Sequence, residues 1–161
     1  MPYVTRYVHV DAPNGQYVYG RCGATEPPRT VRYEAQGIQV DVRLEAIHRT
    51  ELPAHLSLRA PKDVAIVMPD PVAKLRLEGE REAMMIELEP WWTTRGADGR
   101  LVAGEEAKGL SLYRFGFKGL PPVLQAGSLE IPPLLANGVA IPAQRLRFET
   151  RVHAVIAPFN C

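Results

Sequence analysis

Proline interrupts this chain so often that no long helix can form. Its 15 prolines stand at positions 2, 13, 27, 28, 53, 61, 69, 71, 90, 121, 122, 132, 133, 142 and 158. In a helix interior each would remove a hydrogen bond and clash with the turn before it. The longest proline-free stretch, Trp91 to Leu120, carries Gly96, Gly99, Gly104, Gly109, Gly116 and Gly119, and glycine costs a helix about 1 kcal/mol per residue relative to alanine. Strands and turns remain.

Alternation of apolar and polar residues locates the strands, because successive side chains in a strand point to opposite faces. From Gly37 to Arg49, Ile38, Val40, Val42, Leu44 and Ala46 share one face, while Gln39, Asp41, Arg43 and Glu45 share the other. From Arg145 the pattern returns, with Leu146, Phe148, Val152, Ala154 and Ile156 expected inward and Arg145, Arg147, Glu149, Arg151 and His153 outward. Shorter alternating runs are His55 to Arg59, Val64 to Met68, Lys74 to Glu78, Met84 to Glu89 and Leu110 to Phe117. Glu80 to Glu89 also has the composition of a short helix. Asn14-Gly15, Asp98-Gly99 and Asn137-Gly138 each predict a hairpin, since both residue types tolerate positive φ. About nine or ten short strands so punctuated predict a single all-β domain over 1–161. The expected architecture is two packed antiparallel sheets, an immunoglobulin-like sandwich or a jelly roll, with at most one or two short helices.

At 161 residues the chain is one domain's length, and 46% apolar residues supply a real core. A net charge of +1 creates no field that would gather nucleic acid or anionic lipid. Met1 to Val10 lacks the apolar run of a secretory signal, and no apolar run approaches the ~18 residues of a membrane span. Cys22 and Cys161 are the only cysteines, too few and too far apart for a zinc site by themselves. Paired, they would close a loop of more than 100 residues and place the protein in an exported or periplasmic compartment; unpaired, they fit the cytoplasm.

Catalytic patterns are absent. His9, His48, His55 and His153 are the only histidines, and their spacing matches no metal motif, although His9 and Asp11 share a strand face. Ser57, Ser111 and Ser128 are the only serines, and none sits in Gly-x-Ser-x-Gly. Cys22 beside Arg21 is a weak nucleophile candidate. Glu87 with Glu89, and Glu105 with Glu106, fit a solvated surface better than a glycosidase pair, whose separation no sequence reveals. No phosphate-cradling glycine loop occurs. Tyr113-Arg114-Phe115-Gly116-Phe117 has the aromatic alternation by which some RNA-binding sheets stack bases, but lacks their basic start and reads as core. No metal site and no cofactor are expected.

The most unusual stretch is Pro90-Trp91-Trp92-Thr93-Thr94-Arg95. Two adjacent tryptophans at a strand end must face opposite ways, so one can be core while the other anchors a ligand. The candidate binding residues are Trp91, Trp92, Arg95 and Tyr113. The leading expectation is a non-catalytic interaction module whose partner is another protein: an assembly subunit, an adaptor or the neutralising partner of an effector. Carbohydrate stacked on Trp91 or Trp92 with Tyr113 is the second reading, and a jelly-roll metal enzyme the third. Neither nucleic acid nor membrane insertion is expected. Arg145, Arg147, Arg151 and His153 give one strand a basic face, for which cross-strand pairing with acids is the plainer expectation.

Overall fold

A computed structural model describes residues 2–19, 27–45 and 53–156. Among them there is no helix, and strands build one large curled antiparallel sheet with two small sheets beside it. The strands are β1 (Pro2–Asp11), β2 (Gln16–Val18), β3 (Thr30–Ala35), β4 (Ile38–Arg43), β5 (His55–Pro61), β6 (Ile66–Val67), β7 (Val72–Leu77) and β8 (Met84–Trp91). They continue as β9 (Thr93–Arg95), β10 (Leu101–Ala103), β11 (Glu105–Ala107), β12 (Leu110–Lys118), β13 (Ala126–Ile131), β14 (Leu134–Ala136), β15 (Val139–Ile141) and β16 (Gln144–Ile156). The large sheet runs β1-β16-β13-β7-β8-β12-β5-β4-β3-β2, with β11 also on β12. The small sheets are β9 with β10, and β15-β14-β6.

The alternation at Ile38 resolves as expected: Ile38, Val40, Val42 and Leu44 are all buried. Val42 of β4, Leu56 of β5 and Phe115 of β12 are successive cross-strand neighbours and fully buried. Burying a side chain of this size contributes about 1.5–3 kcal/mol. Leu75, Ile86, Leu88, Leu129 and Leu146 extend the same core across β7, β8, β13 and β16. The small sheets add Ile66, Leu101, Leu134, Ala136 and Ile141, and Met68 follows β6 into the same core.

Several expectations are corrected. Glu80 to Glu89 forms no helix, because Ile86 and Leu88 point into the core at strand spacing. The strand count is higher than expected, since β2, β6, β9, β10, β11, β14 and β15 are only two or three residues long. On β16, Leu146 and Phe148 are buried but Val152 is 61% exposed, because the β1–β16 ribbon runs past the body of the core. Ala46 and His48 lie outside the described residues, as do Cys22 and Cys161.

The turns explain which hairpins form. Asn137 and Gly138 both take positive φ (49° and 79°), the pair of values that matches strand twist, and β14 pairs with β15 across them. At Asp98-Gly99 only Gly99 is left-handed, and the Gly99 amide donates to the Gly96 carbonyl at 2.9 Å, joining β9 to β10. At Asn14-Gly15 the geometry differs: Asn14 has φ 57°, and the Gly15 amide donates to the Ala12 carbonyl with Pro13 in second place. This has the character of a type II turn, which splays its strands. The expected hairpin is therefore replaced by separation, with β1 at one end of the sheet path and β2 at the other.

Candidate functional site

The corner between β8 and β9 holds both tryptophans. Trp91 lies opposite Arg114 of β12, and its half-buried indole rests on the next residue of that face, Gly116, where any side chain would collide with the ring. Trp92 turns the chain with φ 47°, a left-handed conformation uncommon for a bulky residue. Its carbonyl presses against Gly104, leaving no room for a β-carbon there. The Trp92 side chain is 66% exposed.

Polar bonds hold the corner in shape. The Thr93 hydroxyl donates to the Trp91 carbonyl at 2.9 Å and accepts the Arg114 amide at 3.0 Å. The Arg114 guanidinium carbon sits 5.9 Å from the Trp92 ring centroid, at the outer reach of a cation–π contact. One of its terminal nitrogens is 3.9 Å from Glu105, while its Nε is buried without a hydrogen-bond partner. Trp91, Trp92, Pro90 and Pro53 line an open cleft of about 410 Å³.

Beside the corner the face becomes polar. Arg114, Ser57, Asp41 and Arg32 stand in register across β12, β5, β4 and β3. Arg32 clasps Asp41 with two bonds of 2.8 and 3.0 Å. His55, opposite Gly116, is buried, and its Nδ1–H donates to the Pro53 carbonyl at 2.7 Å. Burial lowers the His55 pKa, opposed by that hydrogen bond.

The other candidates from the sequence do not join this site. Tyr113 is 5% exposed and belongs to the core face of β12, opposite to Arg114, with Phe115 and Phe117 also buried. Arg95 is a strap: its Nε donates to the Met68 carbonyl at 2.9 Å and a terminal nitrogen to the Pro69 carbonyl at 2.7 Å. The residues that sequence reasoning missed are Arg114, Gly104 and Pro53. Only the Pro90-Trp91-Trp92 run carried a local signal, since the rest converge from distant strands.

His9 and His153 lie elsewhere, on β1 and β16. Tyr17 donates its single hydroxyl proton to Asp11 at 3.2 Å, so His9 Nε2–H must donate to Tyr17 at 3.0 Å. His9 is 4% exposed, and burial followed by Arg151 lowers its pKa, against Asp11 and Glu149. Tyr7 stands edge-on to both His9 and His153. Among the described residues no three His, Cys, Asp or Glu side chains form a group that could hold a metal ion. Glu87, Glu105 and Glu106 each face a cation: Lys118, Arg114 and Lys62. No protein-family model, no curated protein and no solved structure matches the chain.

Proposed function

We propose that this protein is a non-catalytic interaction module that grips an apolar side chain of a protein partner with the Trp91–Trp92 corner. The curled sheet and its two small sheets act together as a sandwich-like scaffold of the immunoglobulin or jelly-roll kind. One observation carries the reading: a large aromatic side chain is two-thirds exposed at a left-handed backbone position, where glycine would cost less. Fold stability gains little from that choice. A rigid, exposed tryptophan next to arginine has the composition of an interface hot spot.

The test is affinity capture from native-source lysate with the full chain, followed by binding measurements with the identified partner made pure. Trp92→Ala should weaken that complex about thirtyfold, the effect of losing a hot spot worth ~2 kcal/mol. A complex indifferent to Trp92→Ala removes the reading. Carbohydrate is the second reading, because Arg114 beside the indole and Glu105 next to that arginine supply the polar groups that sugar hydroxyls need. Saturable quenching of tryptophan fluorescence by a polysaccharide, lost in Trp92→Ala, would select it.

A further inference from the structure

On the face of β16, β13 and β7 away from the core lies a cleft of about 530 Å³, within the range of small-ligand sites. Its cations come from neighbouring strands. Arg147, Ser128 and Arg76 stand in register across β16, β13 and β7, and Arg145 lies two residues along the same face of β16. Sequence expectation was that these arginines would pair with acids across the strands. Acids do stand opposite: Asp11 faces Arg147, and Glu130 faces Arg145.

Neither pair closes. Asp11 is engaged by the Tyr17 hydroxyl, and among the described residues the guanidiniums of Arg145 and Arg147 form no ion pair or hydrogen bond. The other two guanidiniums of the cleft are committed, Arg151 to Glu149 at 2.6 Å and Arg76 to the Arg81 carbonyl. The Ser128 hydroxyl also has no partner among the described residues. Two uncommitted arginines and a hydroxyl therefore line one hollow.

We propose that this cleft binds a small ligand through a phosphoryl group held between Arg145 and Arg147, with Ser128 as a third donor. Guanidinium forks match the oxygens of such a group two at a time. Glu78 and Glu80 line the same cleft. Their charge disfavours a polyanion such as nucleic acid and favours a single anionic group on a neutral or cationic remainder. The site is independent of the tryptophan corner, so either can fail alone.

Inorganic phosphate is the probe, titrated into the full chain by calorimetry at constant ionic strength set with chloride. Saturable millimolar or tighter binding is expected, weakened at least tenfold in Arg145→Gln/Arg147→Gln and unchanged in Arg59→Gln, an exposed arginine on β5. Arg145→Lys/Arg147→Lys keeps the charge but loses the forks, and should bind at least threefold more weakly than the parent. No saturable binding by 20 mM phosphate overturns the proposal. So does equal loss in Arg59→Gln, full retention in the lysine pair, or tighter binding of a 20-nucleotide single-stranded DNA than of phosphate.

Discussion

Trp92 and the two buried histidines show how single residues are held against their own preferences. A left-handed φ costs an L-residue about 1–2 kcal/mol that glycine does not pay. Trp92→Gly should therefore be more stable than Trp92→Ala by about 1 kcal/mol in urea unfolding, although both lose the exposed indole. Equal midpoints would refute backbone strain at the corner. His9 and His55 are both held neutral by burial, each with a pKa below the ordinary 6.5. The unfolded chain therefore takes up protons first. Stability should be full above pH 6.5 and fall as the pH drops below it, until the folded-state values are reached. Urea midpoints at pH 7.5 and 5.8 measure this, and the difference should shrink in His9→Gln/His55→Gln. An undiminished difference assigns the pH dependence to other groups.

At the scale of elements, turns decide which strands meet. Gln36-Gly37 between β3 and β4, and Lys108-Gly109 between β11 and β12, adopt the same paired positive φ as Asn137-Gly138. Glutamine and lysine are poor at such positions, and asparagine is good. Gln36→Asn should raise stability by about 0.5 kcal/mol in chemical denaturation; no gain would mean the turn is not limiting. These two hairpins were illegible because their first residues carry no turn signal, whereas Asn14-Gly15 carried one and splays its strands because Pro13 sets a different turn. Periodicity was readable where one face is wet, as at Ile38 to Leu44. It failed on β1, where Tyr7, Val8, His9 and Val10 are all buried, the valines by the core and Tyr7 and His9 on the opposite face, where the rings of Tyr17 and His153 pack. Of the candidate site, the two tryptophans were readable. The bonds of Arg95 were not readable, since nothing local announces partners at carbonyls 26 and 27 residues away.

Across the whole molecule, the curl of the large sheet brings its two ends together without a backbone ladder between β1 and β2. Side chains fasten the join. Tyr17 ties β2 to His9 and Asp11 of β1, and the Glu45 carboxylate, just past β4, accepts the Val8 amide at 3.1 Å and Arg29 at 3.2 Å. Glu45→Ala strands that amide and should cost about 1–3 kcal/mol, read as a lower unfolding midpoint and faster hydrogen exchange at Val8. An unchanged midpoint would place the closure elsewhere. The Val8 amide, turned toward Glu45, also fixes the parity of the strand: Val4 and Arg6 direct their amides to the open side, while Thr5, Tyr7 and His9 direct theirs to β16. One strand should then keep two clocks in deuterium exchange, fast at Val4 and Arg6 and slow at Tyr7 and His9, and a strand slow at every position would reveal that another chain had already occupied its outer side.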